Sequence, residues 1–326
     1  MSLKIAIVGC GQIGSRHLQG LSRLNKRTTI YLVDKSDESI KIAKERFEDA
    51  VDKDKRGKFS LKVRNIDGIE EDIDVAIIAT GSINRAELTK ELVLHNRIKY
   101  IVFEKFLFQK KSDYIEIQFL LKENNIKAWV NQWMSSSEAF KEMLYWFDSG
   151  PEKVTISGNN WGMACNSVHF IDFFDSASNR KGVHIVDYSI DERVIKSKRE
   201  GYFELTGKMD FTSDNNMKLN ISSENVGDEV AINILIKGGS KKLEAKLSLG
   251  ALEVDYYNKN NEIIRKKYTL PMQSESTGIL VDRIVTYSEC ELPTYQQSMR
   301  HHLLLFKCFE NAFKTTSGSV VGCPVT

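Results

Sequence analysis

Proline is scarce in this chain, with four in 326 residues, against a usual share of about 5%. No Pro-rich or Gly/Ser-rich linker divides the sequence, so any domain boundary has to be read from pattern. Cysteine is sparse and unpaired by spacing. The five, Cys10, Cys165, Cys290, Cys308 and Cys323, are odd in number, and no two have the two-residue gap of a zinc or redox motif. They read as free thiols, which predicts a reducing, cytoplasmic setting. No His/Cys/Asp/Glu set has metal-ligand spacing, so no metal is expected. Neither sign of charge dominates. The 46 Lys and Arg against 44 Asp and Glu leave a formal net charge of +2, which excludes a strongly basic nucleic-acid binder. No uninterrupted apolar run exceeds five residues (Val75 to Ala79), whereas a membrane-spanning helix needs about 20. The opening Met-Ser-Leu-Lys-Ile-Ala-Ile-Val runs straight into a strand-like segment. It lacks the basic region, apolar stretch and cleavage site of a signal peptide, so none is expected.

What is present is ordinary globular composition, 28% charged and 41% hydrophobic, in a length that suits about two domains. Short apolar runs at 3–9, 29–33, 74–79, 100–103 and 127–130 alternate with helical stretches at 13–24, 36–49, 84–96 and 112–125. Ser36 or Asp37 opens the second helix as N-cap. The mixed-charge run Asp52 to Lys58 reads as a solvated loop, because its signs cancel. Alternation of this kind predicts a doubly wound parallel sheet. The pattern changes after about residue 131. Helices are expected at 135–148 and 164–177, with a strand at 153–157. Strand-like segments then crowd 184–270, with hairpin turns at Gly238-Gly239 and Asn258 to Asn261. Two helices, 275–290 and 295–314, close the chain. The expected fold class is α/β: an N-terminal doubly wound domain over 1–128, then an α+β domain over 129–326 with a large, mostly antiparallel open sheet and the closing helices.

The segment Gly9-Cys10-Gly11-Gln12-Ile13-Gly14 matches G-x-G-x-x-G. It follows a buried strand and opens a helix, the context that makes this motif a dinucleotide (Rossmann) fingerprint. Gly9 allows the sharp turn, Gly11 leaves room for a pyrophosphate, and Gly14 lets helix and strand pack closely. The helix N-terminus then turns free N–H groups toward the phosphates, which adds Gln12 and Ile13 to the expected site. Asp34, 20 residues after Gly14 at the end of the second strand, suits the adenosine ribose hydroxyls. Its charge opposes a 2′-phosphate and favours NAD, while Lys35 beside it offsets that charge and keeps NADP open.

Three further segments, Ala79-Thr80-Gly81-Ser82, Phe103-Glu104-Lys105-Phe106 and His169-Phe170-Ile171-Asp172, complete a pattern that resembles the Gfo/Idh/MocA oxidoreductases. The resemblance implies a two-domain enzyme with NAD(P) in the first domain. It also implies an open sheet in the second that forms the substrate cleft and commonly a dimer or tetramer interface. Carried over by position, Glu104-Lys105 stands where the family has Glu-Lys-Pro, whose Lys reaches nicotinamide and substrate. Thr80-Gly81-Ser82 stands for the family's Thr-Pro-Asn. Phe106 replaces the Pro that shapes the backbone past the Lys, often through a cis bond. Arg85 replaces a His, and Cys165 and Ser167 stand where an acidic residue and a Gly are common.

The implied reaction moves a hydride between a sugar-like carbinol carbon and nicotinamide. It needs a group to take the hydroxyl proton and a cation to steady the alkoxide. His169 suits the first role. Asp172, three residues on and on the same helix face, is expected to orient it. Lys105, at the C-terminal end of a parallel strand, suits the second. Asn131, Gln132, Trp161 and Asn166 are the expected substrate contacts, although Trp133 and Trp161 also read as packing. His301-His302 reads as a solvated helix turn. The leading function is an NAD(P)-dependent sugar, cyclitol or nucleotide-sugar dehydrogenase, with a small carbohydrate-like substrate and no nucleic-acid or membrane partner. Two alternatives stand beside it: an NAD-dependent glycosidase that retains its cofactor, and a non-catalytic NAD(P) sensor.

Overall fold

The computed structural model describes residues 2–69, 71–260, 262–316 and 322–326. Along the chain run β1 (Leu3–Val8), α1 (Gln12–Leu21), β2 (Thr28–Val33), α2 (Asp37–Ala50), β3 (Phe59–Val63), β4 (Ile73–Ile78), α3 (Arg85–His95), β5 (Ile98–Phe103), α4 (Lys111–Glu123) and β6 (Lys127–Val130). Next come α5 (Glu138–Tyr145), β7 (Lys153–Asn159), α6 (Met163–Ala177), β8 (Val183–Ile190), β9 (Ile195–Lys196), β10 (Phe203–Glu204), β11 (Gly207–Ser213) and β12 (Lys218–Ser223). The last are β13 (Ala231–Gly238), β14 (Lys241–Ser248), β15 (Ala251–Tyr257), β16 (Ile263–Thr269), α7 (Gln273–Tyr287) and α8 (Tyr295–Thr316).

The first six strands form one parallel sheet in the order β3-β2-β1-β4-β5-β6. Ile5, Ile7, Ile30, Leu32, Val75 and Ile77 are wholly buried in it, as near-continuous apolar strands covered on both faces must be. The order reverses between β1 and β4, so a crevice opens beyond their C-terminal ends, where open α/β sheets hold ligands. Of Ser36 and Asp37, the two expected N-caps, Ser36 is the one that caps α2, its hydroxyl accepting from Ser39 N at 3.2 Å. The edge strand β3 was not legible in the sequence. Phe-Ser-Leu-Lys-Val is short and only half-buried, held by an edge-to-face contact of Phe59 with Phe47, centroids 5.2 Å apart.

The chain forms two compact units, and their membership corrects the expected boundary. The first unit is Met1–Phe108, Ser112–Asn131 and Pro271–Gln296; the second is Gln109–Lys111, Gln132–Leu270 and Gln297–Thr326. Helix α7, expected in the second domain, packs on α1 of the first. A Cβ on Gly20 would lie 2.9 Å from Thr277 Cβ, and one on Gly278 2.6 Å from Gly20 O. Paired glycines let the two helices approach at backbone distance, a contact no local pattern reveals.

The second unit holds an eight-stranded sheet, β16-β15-β14-β13-β7-β12-β11-β8. It is antiparallel except where β12 pairs β7. Two buried rows cross it: Phe211, Leu219, Val154, Ile236, Leu243, Tyr256 and Met209, Ile221, Ile156, Ile234, Ala245, Val254. Register is set by this one-sided burial, because a one-residue slip would turn every apolar side chain to water. The β13–β14 hairpin turns at Gly239-Ser240, with Gly239 at φ +56°. Within the strand-rich stretch expected over 184–270, β10 and β11 are separate strands. Of the expected turn at 258–261, Asn261 lies outside the described residues.

Candidate active site

The phosphate-binding turn has the geometry its glycines predict. Gly9 sits at φ +93°, and a Cβ there would lie 2.8 Å from Thr80 N. A Cβ on Gly14 would lie 1.7 Å from Gly9 O. Gly11 is the opposite case: it is exposed, and a Cβ would meet nothing within 4 Å. The α1 N-terminus beside it has no side-chain cap and no acidic residue in its first turn, so its N–H groups remain available to an anion. A pyrophosphate fits this cradle of open space and unspent donors.

Asp34 braces the same turn. Its two oxygens accept from Cys10 N at 2.6 Å and Ser36 N at 2.8 Å, while Asp34 stays partly exposed and Lys35 is exposed. Burial, and then the Asp34 charge, push the Cys10 thiol up to about 12, so it is an inert neutral group. Sequence reasoning missed Arg46. From α2 it donates to Gln12 Oε1 at 3.2 Å and to Ser15 Oγ at 2.5 Å. It belongs to no motif, and only the packing of α2 on α1 brings it there.

Thr80, Gly81 and Ser82 follow β4, and Glu104 and Lys105 follow the adjacent β5. Glu104 is 7% exposed and is held by residues far apart in sequence. Its Oε1 lies 2.9 Å from His17 Nε2 on α1 and accepts from Asn131 Nδ2 at 2.5 Å. Asn131 also donates to Gln273 Oε1 at 2.6 Å, and His17 Nδ1 lies 3.0 Å from Thr277 Oγ1. Asn131, expected as a substrate contact, therefore spends its amide on Glu104 and α7. Burial alone pushes the Glu104 carboxyl up. The His17 hydrogen bond and charge, then Asn131 and Arg85, more than offset this and hold it below the usual range. A depressed carboxyl contributes stability that is present above its unfolded value, about 4.3, and is lost as pH falls through the folded one. Glu104→Gln is expected to cost about 2 kcal/mol at pH 7, with the difference from wild type shrinking below about pH 4; urea titrations at both pH values measure it. The Lys105–Phe106 peptide is cis, although no proline follows Lys105.

In the second unit, α6 carries His169 and Asp172. Glu204 of β10 caps this helix, its Oε2 accepting from Ala164 N at 2.9 Å and Cys165 N at 3.3 Å, a favourable place for a carboxylate. His169 is 5% exposed, its ring 6.1 Å from that of Trp133. Asp172 does not perform the expected task of orienting His169. It is fully buried and pairs with Arg180 NH1 at 2.6 Å, with His301 Nδ1 at 4.0 Å. Arg180 also meets Asp175 at 3.3 Å, and His301 Nε2 lies 3.0 Å from the same carboxylate. Two residues sharing a helix face need not pair when a long guanidinium reaches one of them first.

His301 and His302 are not a solvated turn: they are 2% and 0% exposed. The signal for this was the apolar run that follows them, which already marks a buried face of α8. Gln132 is fully buried and donates to Val168 O at 2.7 Å. Trp161 is 3% exposed, bonds Ser222 O at 3.1 Å and stands edge-on to Phe170, so its ring belongs to the core. Asn166, half-buried, donates to Trp161 O at 2.7 Å. Each of these three side chains makes at least one hydrogen bond within the fold.

Comparison with known proteins agrees with this architecture. The solved structures that share it include these three. One is an oxidoreductase from Agrobacterium radiobacter in complex with NAD+, L-tartaric acid and magnesium (TM-score 0.73, 13% identity, covering 99% of this chain and 98% of that one). Another is the UDP-N-acetylglucosamine 3-dehydrogenase GnnA from Acidithiobacillus ferrooxidans (0.69, 9%, 94% and 97%). The third is a super-repressor mutant of Gal80p from Saccharomyces cerevisiae (0.71, 14%, 97% and 96%). At these identities the likeness is one of fold. A search of curated proteins gives no significant sequence match. Residues 3–132 match the model of the oxidoreductase family with an NAD-binding Rossmann fold. Over these residues the chain is similar to the Gfo/Idh/MocA oxidoreductases.

Proposed function

We propose that this chain is an NAD(P)-dependent dehydrogenase acting on a CH–OH carbon of a sugar, cyclitol or nucleotide sugar. The observation that carries this reading is the open, uncapped cradle at Gly11 and the α1 N-terminus, braced by Asp34. A bound nicotinamide supplies or accepts the hydride. The α1 N–H groups hold the pyrophosphate, and the remaining lone pairs of Asp34 accept from the ribose hydroxyls. The Asp34 charge opposes a 2′-phosphate, so NAD is the expected partner. Lys105 is the candidate cation of the first unit and His169 the candidate proton acceptor of the second. The carbohydrate class is supported by the GnnA fold and its nucleotide-sugar substrate.

Titration with NADH and NADPH, followed by energy transfer from Trp, tests the reading. Tighter binding of NADH by about tenfold is expected. Preference for NADPH transfers the choice from Asp34 to Lys35, and binding of neither by folded, cofactor-free protein removes the dehydrogenase reading. A second reading, cofactor binding without turnover, draws on the Gal80p likeness and on Cys165 and Phe106, where the family pattern breaks. NADH formed from NAD+ in a sugar and nucleotide-sugar screen, and lost in Lys105→Ala, decides against it.

A further inference from the structure

Arg85 is the largest of the fully buried side chains among the described residues, 1% exposed. It stands at the first position of α3, where the helix dipole disfavours a cation, so helix stability does not account for it. A guanidinium is always charged and offers five N–H donors in a rigid fork. Removing one from water is costly unless those donors are met. Here NH1 donates to Glu104 O at 2.7 Å, to Leu107 O at 2.9 Å and to Phe106 O, while NH2 donates to Thr80 O.

The four carbonyls have a common meaning. Three of them bracket Lys105, one before it and two after. The fourth lies in the segment that follows β4, the strand paired with β5 through Ile78 and Phe103. Two loops leaving neighbouring strands are thereby tied to one planar group. The Arg85 charge also helps hold the Glu104 carboxyl in its ionised form. Lysine at this position offers a point charge with three donors on a flexible stem and cannot reproduce the planar fork.

We propose that Arg85 is a positioning residue for Lys105. It fixes the backbone on both sides of Lys105 to Thr80, and so sets where the Lys105 ammonium stands toward the nicotinamide end of the cofactor. This rests on the cofactor reading above and extends it to a residue that touches neither cofactor nor substrate.

The test compares two probes by calorimetry. ADP-ribose carries the adenosine, both riboses and the pyrophosphate but no nicotinamide, and NADH carries all of them. Arg85→Gln is expected to weaken NADH by about tenfold while ADP-ribose changes by less than about twofold. Arg85→Lys keeps the charge and serves should Arg85→Gln fail to fold; it shows a smaller loss with the same selectivity for NADH. A purely structural role does not move the ratio of the two affinities. Equal weakening of both probes, or of neither, overturns the proposal while leaving the cofactor reading intact. Failure of the wild-type protein to bind ADP-ribose overturns the cofactor reading, and the proposal with it.

Discussion

Gly14→Ala is expected to abolish NADH binding and to lower stability by about 3 kcal/mol or more. The added carbon would lie 1.7 Å from Gly9 O and 2.8 Å from Gly9 C. These are backbone atoms, so no rotamer change relieves the overlap. Either α1 withdraws from β1 or the turn at Gly9 opens, and each movement removes the N–H groups from the phosphate position. Gly11→Ala supplies the contrast. Its added carbon meets no protein atom within 4 Å, and losing Gly as N-cap costs under about 1 kcal/mol. It is nevertheless expected to weaken NADH by about tenfold or more, because the methyl group occupies the space reserved for the pyrophosphate. Urea denaturation and NADH titration of both variants separate the two effects. Normal NADH affinity in Gly11→Ala would place the pyrophosphate elsewhere, and normal folding of Gly14→Ala would refute the turn geometry.

Arg180→Ala is expected to destabilise the protein by about 3–5 kcal/mol at pH 7. The guanidinium is the cation that meets both Asp172 and Asp175; without it, two buried carboxylates are left facing His301. Burial alone pushes the Asp175 carboxyl up, but the His301 hydrogen bond and charge, with Arg180, hold it below the ordinary range. Its contribution is therefore complete above the unfolded value, about 3.9, and disappears as pH falls through the folded one. The gap between wild type and Arg180→Ala is accordingly widest near neutrality and narrows below about pH 4. Urea midpoints at pH 7 and pH 3 measure it. A gap of equal size at both would assign the loss to packing of the Arg180 stem rather than to charge.

The glycine turn was legible because it is made from consecutive residues, and the place of Asp34 because it stands at the end of the next strand. The turn's requirements on φ, on missing Cβ atoms and on a helix N-terminus are all local. The site around Glu104 was legible only in part. Glu104-Lys105 could be found at a strand end, but the partners that hold Glu104 come from α1 and from the end of β6, and both are held in turn by α7. The pairing of His169 with Asp172 was inferred from helical spacing, which states that two side chains share a face and not what else reaches that face. Arg180, at φ +57° just beyond the helix, folds back and takes Asp172. His301 arrives from α8, well over a hundred residues later in the chain.

The sequence by itself determined the class of fold, the parallel sheet with its strand alternation and the glycine turn, because these follow from short-range periodicity and from glycine sterics. Only the tertiary structure decided that α7 returns to the first unit, that Glu104 and Asp172 are held by buried partners, and that Arg85 clasps the backbone around Lys105. Those outcomes depend on buried charged and polar groups finding partners out of water, and the energetic demand for a partner does not specify how far along the chain that partner lies.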